Sequence, residues 1–377
     1  MGDECMKWVF SVMLCLVLLL GAAVPAAALS VSARGAVLIN GATGEVLWQQ
    51  NMSEPLSMAS TTKIMTALLL CESGELDREI TVTSEMVTIE GSSMGLLPGD
   101  TVSYRDLLYG MLLASGNDAA NTVALSLADS AENFALMMNA KAAEIGMENT
   151  HFVTASGLDS AGHSSTAYDM ALLARYALEN KEFKAACSAK YATLCYGNPP
   201  YKRTLKNHNK LLWNYEGAIG VKTGYTKKSG RCLVSAAERD GKYLISVTLS
   251  APSDWADHAA MLDFGFSLLR PRVLSGERIS LPVISGTGNA IEVTSEPINI
   301  ALSDSEYNSL EKYIFLPKFC YAEIKSGEQL GRVEYKLNGK TVATAPLKAE
   351  SDIPYEGTDS TVYKIFSNFK KLIKAMV

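Results

Sequence analysis

The stretch Met58–Leu70, MASTTKIMTALLL, places two polar side chains at the start of an apolar run. Ser60 and Lys63 are one helical turn apart, so on a helix both side chains point to the same side. An N-capping serine beside a surface lysine would account for Ser60. It would not account for a lysine that begins so apolar a helix, so the pair calls for a chemical explanation.

A serine hydroxyl becomes a good nucleophile when a neighbouring base removes its proton. Lysine can be that base if burial or a second positive charge lowers its pKa. At a helix start, Ser60 would also lie near first-turn N–H groups, which favour developing negative charge. The Ser-x-x-Lys spacing alone is weak evidence for a catalytic pair, because it recurs at Ser309/Lys312 among acidic residues and at Ser367/Lys370 in a basic tail.

Two further motifs strengthen the interpretation. Ser115–Asn117, Ser-Gly-Asn, interrupts an apolar helical stretch, where a hydroxyl and an amide are costly unless they are used. Lys222–Gly224, Lys-Thr-Gly, closes a strand-like run. Its glycine lets a substrate backbone approach, and its lysine can lower the pKa of Lys63 and attract a carboxylate. Together the three motifs, in this order, are a strong signal of one catalytic site.

The order Ser-x-x-Lys, Ser-x-Asn, Lys-Thr-Gly resembles that of penicillin-binding proteins and serine β-lactamases. More narrowly, the chain is similar to low-molecular-mass D-alanyl-D-alanine carboxypeptidases of the S11 serine peptidase type. The similarity covers nearly all of the mature chain, including the C-terminal β region and the basic tail. It is carried by ASTTKIMTALL, EGSSMGLLPGDTVSYRDLLYGMLLASGNDAANTVA, HFVTASGLDSAGHSSTAYDMALLARYAL and GVKTGYTKKSGRCLVSAAERDG.

The resemblance implies a mechanism without a cofactor. Ser60 attacks the carbonyl between the last two D-Ala residues of a peptidoglycan stem peptide, Lys63 takes the hydroxyl proton, D-Ala leaves, and water releases the acyl-enzyme. Loss of the terminal D-Ala limits cross-linking, and β-lactams, which mimic D-Ala-D-Ala, should acylate Ser60. The other implied roles are proton relay by Ser115, substrate amide binding by Asn117, carboxylate binding by Lys222 and Thr223, close approach at Gly224, and oxyanion-hole N–H groups from Ser60 and Tyr225.

One loop departs from the pattern of some relatives, which have histidine in the motif that reads Thr154–Leu158 here. Ser156 stands in that motif instead, so it is given no catalytic role. For Asp159 and Asp169, in and after this loop, a structural role is expected.

The apolar spacing predicts an α+β fold, with a helical cluster flanked by an antiparallel sheet, the penicillin-binding/β-lactamase-like transpeptidase fold of the resemblance. Predicted helices are Ser60–Leu70, Tyr104–Leu127 with a break near Ser115–Asn117, Ala131–Ile145, Thr166–Glu179 and Trp255–Leu269. After Lys181 strands are expected, at Gly217–Gly224, Arg231–Ala237 and Tyr243–Ser250, in addition to two strands within Gly35–Trp48. Short β segments from Ile279 to about Ile353, with a hairpin turning at Asn338-Gly339, predict a small C-terminal all-β domain.

The sequence predicts a secretory signal at the N-terminal end and a membrane-surface anchor at the C-terminal end. Trp8–Val24 is an apolar run followed by a small-x-small pattern at Ala26-x-Ala28, which indicates a secretory signal peptide. Met6 is a possible alternative initiator. The predicted organisation is a signal peptide at 1–28, a catalytic domain at 29–272, a β domain at 273–358 and an anchor at 359–377. The expected location is the outer face of the cytoplasmic membrane of a bacterium, facing the cell wall.

The C-terminal segment Tyr363–Val377 has an apolar face and four lysines, on a chain with a net charge of −6. A basic amphipathic helix with aromatic residues is typical of a membrane-surface anchor. The alternative is a terminal helix docked on the protein. The apolar face consists of Ile365, Phe366, Phe369, Leu372, Ile373 and Met376.

Composition argues against a nucleic-acid partner, a disulfide framework and a metal site. A pI near 5.4 without a broad basic field argues against nucleic acid as a partner. Of seven cysteines two fall in the signal peptide, and the remaining 7 − 2 = 5 are scattered and odd in number, which favours buried thiols over a disulfide framework. The four histidines have no metal-ligand spacing, so no metal is expected.

Three alternatives remain open. A class A β-lactamase needs Glu-x-x-Leu-Asn, and the match at Glu334–Asn338 falls in the predicted C-terminal hairpin, which indicates chance. A Ser-His-Asp hydrolase needs a Gly-x-Ser-x-Gly elbow, but Ala155-Ser156-Gly157 lacks the first glycine, and His258 is expected to be a solvated helix residue. A non-catalytic wall-binding protein would not need the serines and lysines together.

Overall fold

The computed structural model describes residues 29–356. The predicted signal peptide and the predicted anchor at 359–377 lie outside the described residues, as does the end of the predicted β domain, and they stay predictions.

Several of the helices start at side chains that accept hydrogen bonds from first-turn N–H groups. The backbone N–H of Asp106 donates to Ser103, that of Asn133 to Ser130, and that of Asp169 to Thr166. The helices are α1 Lys63–Glu72, α2 Ser84–Val87, α3 Tyr104–Leu113, α4 Asn117–Ala128, α5 Ala131–Ile145, α6 Ala167–Glu179, α7 Lys181–Ser188, α8 Leu211–Asn214, α9 Asp254–Leu268 and α10 Asp304–Asn308.

The N-terminal half contains a five-stranded antiparallel sheet in the order β2-β1-β9-β8-β7, with β7 at one edge. A four-stranded sheet, β3-β4-β5-β6, lies in the same half. The strands of these two sheets are β1 Gly35–Asn40, β2 Val46–Gln50, β3 Glu79–Thr81, β4 Thr101–Ser103, β5 Tyr191–Gly197, β6 Pro200–Lys206, β7 Ala218–Thr226, β8 Gly230–Arg239 and β9 Lys242–Leu249.

The C-terminal part is rich in sheet. The strands β10 and β13 form a separate two-stranded sheet, and the other strands form a six-stranded sheet in the order β14-β16-β17-β12-β11-β15. These strands are β10 Arg270–Leu274, β11 Arg278–Ile284, β12 Ala290–Thr294, β13 Ile298–Leu302, β14 Glu311–Phe315, β15 Cys320–Tyr321, β16 Gln329–Leu337 and β17 Lys340–Ala349. The predicted hairpin is β16 and β17, joined at Asn338-Gly339, both of which have positive φ as a tight hairpin turn requires.

The predicted α+β class is therefore confirmed, and α1 is a core helix whose residues Lys63–Cys71 are all buried. Its apolar side chains belong to one hydrophobic core with the inner faces of α3, α4 and α6. A core on all sides gives the helix a fixed position, which is what a reacting group at its start needs.

The two predicted domains are in contact through Glu306. Its carboxylate accepts hydrogen bonds from Asn40 Nδ2 at 2.9 Å and Thr43 Oγ1 at 2.6 Å, and Asn40 Nδ2 also donates to Ala301 O at 3.0 Å. All three side chains are buried. The boundary near residue 272 stays a prediction.

Two local predictions are wrong. The chain directly after Lys181 is the helix α7, because Asn180 accepts from the N–H groups of Glu182 and Phe183 and an apolar side including Phe183 and Cys187 is buried. His258 is fully buried rather than solvated. It lies under the sheet, where the hydroxyls of Ser235, Ser246 and Thr248 surround its ring nitrogens.

The cysteine prediction holds in part. Cys71, Cys187 and Cys232 are buried, whereas Cys195 is exposed and Cys320 is half-buried. Among residues 29–356 no group of three or more histidine, cysteine or acidic side chains is arranged to hold a metal ion. In the same range no helix is long and apolar enough to cross a membrane.

Candidate active site

Ser60 lies in a tight 3₁₀ turn, Ala59–Thr62, that leads directly into α1. The turn is held by its own hydroxyls: Thr61 Oγ1 donates to Met58 O at 2.6 Å and Thr62 Oγ1 to Ala59 O at 2.8 Å. Ala59 has a φ of 48°, a left-handed conformation that is unfavourable for a residue with a Cβ. Ser60 is thus presented by a strained, over-determined turn, as reacting groups often are.

Lys63 Nζ contacts Ser60 Oγ at 2.9 Å, Asn117 Oδ1 at 2.6 Å and the Ser156 carbonyl oxygen at 2.7 Å. A neutral amine has two N–H donors and one lone pair. Asn117 and Ser156 offer oxygens that can take both donors, which leaves the lone pair to accept the Ser60 hydroxyl proton. The geometry therefore suits a lysine acting as a base.

The electrostatics favour the same protonation state. Lys63 is completely buried, and burial together with the positive charge of Lys222 holds its pKa well below the ordinary value, although Asp118 opposes this shift. A buried ammonium ion that has no direct carboxylate partner is costly, so a buried lysine releases its proton more readily than an exposed one.

Ser115 and Lys222 form a second contact in the same site. Lys222 Nζ lies 3.0 Å from Ser115 Oγ and 2.9 Å from the carbonyl oxygen of Thr223. Ser115 has a φ of 60° at the break between α3 and α4, which turns its side chain away from the helical path. Burial lowers the pKa of Lys222 to about 7.

A cleft of about 280 Å³ opens over these groups and is lined by Ser60, Ser115, Thr223, Gly224 and Tyr225. The edge strand β7 forms one wall. It lies so close to the turn that a Cβ built on Gly224 would be 3.1 Å from both Ser60 N and Met58 O. The predicted need for a small residue at this position therefore has a steric basis.

Asn117 differs from the expectation in its contacts. Its Oδ1 accepts from Lys63, and its Nδ2 donates to the Glu90 carbonyl oxygen at 2.6 Å. The side chain is buried and connects Lys63 to the loop before β4. Binding of a substrate amide by Asn117 stays a prediction, and the same holds for the relay role of Ser115.

Arg231 is a cleft residue that the motif analysis missed. It stands opposite Tyr225 across the β7–β8 ladder, and its Nε donates to Asp254 Oδ1 at 2.8 Å. Its guanidinium also lies 5.7 Å from the ring centre of Trp255, and all three residues line the cleft. Arg231 lies beyond the Lys-Thr-Gly motif, in a turn-to-strand segment with no pattern that marks it from sequence.

The loop 153–163 supports the site from behind. Ser156 supplies its backbone carbonyl to Lys63, which a motif search cannot find because every residue has that group. His163 Nδ1 accepts from Val153 N–H at 3.0 Å, so Nε2 carries the proton and donates to Thr62 Oγ1 at 2.9 Å. The ring thereby connects the loop to the turn that holds Ser60.

Acidic side chains act as structural acceptors near the site. Asp118 accepts from the N–H groups of Met94, Gly95 and Leu96 and fixes the loop beside Ser115. Asp169 accepts from Asn149 N–H and Thr150 Oγ1, which matches the structural role expected of it.

Every residue predicted for the site is thus brought to one place, from a turn, a helix break and an edge strand. Ser60, Ser115, Thr223, Gly224 and Tyr225 line the cleft, and Lys63, Asn117 and Lys222 lie buried beneath it. The individual chemical roles stay predictions.

Two family models match the chain. One, described as D-alanyl-D-alanine carboxypeptidase, matches residues 22–253, and the other, described as the C-terminal domain of penicillin-binding protein 5, matches residues 275–355.

Known proteins of similar sequence and structure point to the same family as the two family models. D-alanyl-D-alanine carboxypeptidase DacF of Bacillus subtilis is 34% identical over 338 residues, 86% of this chain and 87% of the relative. D-alanyl-D-alanine carboxypeptidase DacC of Escherichia coli is 34% identical over 349 residues, 84% of this chain and 83% of the relative. The crystal structure of penicillin binding protein 5 from Haemophilus influenzae superimposes with a TM-score of 0.65 at 27% identity, covering 86% of this chain and 98% of that one.

Proposed function

The chain belongs to the D-alanyl-D-alanine carboxypeptidase family of serine peptidases, and on that premise we propose that Ser60 removes the terminal D-Ala of peptidoglycan stem peptides through an acyl-serine intermediate. The observation that carries the proposal is the 2.9 Å contact between Lys63 Nζ and Ser60 Oγ. The oxygens of Asn117 and Ser156 accept the other hydrogen bonds of Lys63 Nζ, and burial lowers the pKa of this lysine. Both favour a neutral lysine when Ser60 attacks.

In the first step Ser60 Oγ forms a bond to the penultimate D-Ala carbonyl carbon while its proton passes to Lys63 Nζ. The oxygen that becomes negative would be stabilised by the N–H groups of Ser60 and Tyr225. The close approach of Gly224 to Ser60 N supports this arrangement, because it brings both backbone segments to one side of the hydroxyl.

In the second step the bond to the terminal D-Ala nitrogen breaks, and the leaving amine takes up the proton that Lys63 Nζ received from Ser60, so Lys63 is neutral again. Ser115 is suited to pass it, since its hydroxyl is hydrogen-bonded to Lys222 at 3.0 Å and also lines the cleft. Lys222 and Thr223, with the guanidinium of Arg231, would hold the terminal carboxylate. Water then attacks the acyl-serine with Lys63 as its base, which regenerates the hydroxyl.

Removal of the terminal D-Ala leaves a stem peptide that can no longer act as a D-Ala-D-Ala donor, so the proposed consequence is limited cross-linking. β-Lactams, which mimic this end, would acylate Ser60 and remain bound. A β-lactamase would instead release the product quickly. Slow nitrocefin turnover with a long-lived acyl-enzyme is the expected result, and fast turnover would contradict the carboxypeptidase assignment.

The direct test is D-Ala release from diacetyl-Lys-D-Ala-D-Ala, together with labelling by a fluorescent penicillin. The wild-type protein should do both, and Ser60→Ala should do neither. Ser309→Ala is the matched control, because Ser309 has the same spacing to a lysine but lies in the C-terminal part. Full activity of Ser60→Ala would overturn the site, and an inactive, unlabelled wild type would favour a wall-binding protein.

We further propose that the protein is exported and acts on the outer face of the bacterial cytoplasmic membrane, attached through Tyr363–Val377. The support is the apolar face and the four lysines of that segment, which suit an anionic lipid surface. Deletion of Tyr363–Val377 should move the protein from the membrane fraction to the soluble fraction while penicillin labelling persists. Unchanged membrane association would refute the anchor.

A further inference from the structure

The sheet-rich C-terminal part has two ends with different surroundings. At one end the turn of the β16–β17 hairpin contacts the N-terminal half, because Asn338 Nδ2 donates to the carboxylate of Glu45 at 3.0 Å. From this turn β17 continues to Ala349, a distance of about 30 Å at the usual rise of a strand. Val293, in β12, pairs with Ala349, so the turn between β11 and β12 lies at the far end.

The last described residues lie at this far end. Glu356 N–H donates to the carbonyl oxygen of Ser285 at 2.9 Å, and Ser285 directly follows β11. In the sequence, residues 357–362 separate Glu356 from Tyr363, where the predicted anchor segment begins. A chain of that length spans at most about 25 Å. An anchor that starts at Tyr363 therefore keeps the far end of the C-terminal part close to whatever surface the anchor binds.

An exposed apolar patch adjoins this exit of the chain. It consists of Ile284, Phe319 and Tyr321, which are 41%, 45% and 45% exposed, and is called the distal patch below. Ile284 and Tyr321 are partners in the parallel pairing of β11 with β15, and the rings of Phe319 and Tyr321 meet edge to face with centres 5.6 Å apart. Their sequence neighbours Val283 and Cys320 belong to or pack against the C-terminal core. The three side chains of the distal patch therefore face outward.

The chemistry of the distal patch suits the interface between lipid and water. Tyr321 combines an apolar ring with a hydroxyl, and such side chains are enriched where one end is apolar and the other is wet. Lys318, directly before Phe319, is exposed and can place its stem along the rings with its ammonium group in the headgroup layer. Glu323 is in a salt bridge with Lys325. Because Glu356 is also exposed at this end, apolar burial rather than net charge has to supply most of the attraction.

We propose that the distal patch inserts into the headgroup region of the membrane that holds Tyr363–Val377, as a second lipid contact made by the folded part of the chain. This inference rests on the proposed membrane attachment and is independent of the proposed reaction. A weak contact suffices, because the anchor holds the patch at a high effective concentration next to the lipid. With two contacts the C-terminal part has a fixed tilt, and the hairpin turn that contacts Glu45 points away from the bilayer.

Contact with lipid can be measured at position 319. Vesicles of phosphatidylethanolamine and phosphatidylglycerol with brominated acyl chains quench a tryptophan that enters the bilayer. When the chain from Leu29 to Val377 is bound to them, Phe319→Trp should lose more fluorescence than the wild type. Tyr307→Trp is the matched control, because Tyr307 is 43% exposed but lies in α10, next to the contact between Glu306 and the N-terminal half. It should show no additional quenching.

Removal of the rings tests the affinity. Phe319→Ser/Tyr321→Ser should bind the same vesicles about tenfold more weakly, since the area that the two rings bury in the lipid is lost. Its D-Ala release from diacetyl-Lys-D-Ala-D-Ala without vesicles should equal that of the wild type. Tyr307→Ser/Tyr313→Ser removes two rings that are 43% and 42% exposed and should bind vesicles like the wild type.

Absence of additional quenching in vesicle-bound Phe319→Trp, or unchanged affinity of a folded Phe319→Ser/Tyr321→Ser, would overturn the inference and leave the anchor standing. A wild type that does not bind vesicles would overturn the anchor and the inference together. A dimer that forms in solution and is lost in the double variant, without additional quenching in Phe319→Trp, would assign the distal patch to a second copy of the chain and also overturn the inference. D-Ala release is measured separately, so failure of the proposed reaction is distinguishable from each of these results.

Discussion

Gly157 lies directly against the carbonyl group of Ala59, so closely that a Cβ built on Gly157 would be 1.9 Å from Ala59 O. This contact joins the loop 153–163 to the turn that carries Ser60. The same loop supplies the Ser156 carbonyl to Lys63 and the His163 ring to Thr62. Ser60 and Lys63 are thus positioned by a segment that is far away in sequence. The close contact between the loop and the turn is possible because Gly157 has no side chain.

Gly157→Ala should therefore be strongly destabilising and should also slow penicillin labelling. The new methyl group must displace backbone, which costs about 3 kcal/mol or more beyond the strain of a positive φ. Gly162→Ala is the matched control, because Gly162 has a similar φ of 80° against 83° but its nearest neighbour would be 3.7 Å away. It should lose only about 1–2 kcal/mol in urea unfolding. Equal losses in the two variants would contradict the steric argument.

Lys63→Arg should greatly slow acylation of Ser60 while the fold persists. A guanidinium group does not lose its proton at accessible pH, so loss of the base should reduce the rate of penicillin labelling by about 10²–10⁴-fold. Lys312→Arg is the control, because Lys312 has the same spacing to a serine but is exposed and paired with Glu277. Circular dichroism of both variants shows whether the fold is kept. Normal labelling of a folded Lys63→Arg protein would exclude Lys63 as the base.

The pH dependence of kcat/KM should reflect the loss of the proton from Lys222. Burial lowers the pKa of this lysine to about 7, so its charge is present below that pH and lost above it. Because the charge attracts the substrate carboxylate, kcat/KM for diacetyl-Lys-D-Ala-D-Ala should decline as the pH rises through about 7. In Lys222→Arg this alkaline decline should disappear, since a guanidinium stays charged. A decline that persists there must come from another group.

Arg231→Gln should weaken recognition of the terminal carboxylate. A hydrogen bond to a charged group contributes about 1.5–3 kcal/mol, so KM for the D-Ala-D-Ala peptide should rise roughly 10- to 100-fold with little change in kcat. The same peptide with a C-terminal amide should be cleaved equally by both proteins. If the variant loses activity equally on acid and amide, Arg231 acts through the local structure and not through the carboxylate.

The buried His258 should make the protein less stable in acid. Burial lowers its pKa from 6.5 to about 3, so between these values the unfolded chain binds a proton that the folded protein does not. The free energy of unfolding should therefore fall as the pH drops from 6.5 towards 3, by up to about 1.4 kcal/mol per pH unit.

His258→Gln should reduce that slope in urea unfolding at pH 7, 6 and 5. His151→Gln, a change to an exposed side chain, is the control for removing a histidine. His163, whose pKa burial lowers to about 4, adds to the slope in both variants. An identical slope in His258→Gln and the wild type would contradict the assignment of the acid sensitivity to His258.

The sequence by itself determined the α+β class, the longer helices, the strands β1, β2, β7, β8 and β9, the hairpin β16–β17, and the motif residues that meet at the site. Apolar periodicity reports which side of an element is buried, and each of the motifs is a local pattern. The same logic failed at α7, where a short helix depends on the Asn180 cap, and at His258, where a polar side chain is buried because three hydroxyls from the sheet surround it.

Only the tertiary structure decided how the motifs act on one another. The lowered pKa of Lys63 depends on its burial and on the charge of Lys222, and its amine contacts Asn117 and the backbone carbonyl of Ser156; these three residues are distant from Lys63 in sequence. The contacts of Arg231, the contact between Gly157 and Ala59, and the distal patch likewise exist only where separate segments meet. A local pattern can specify which groups are present, but their protonation and their distances are set by the packing of the segments around them.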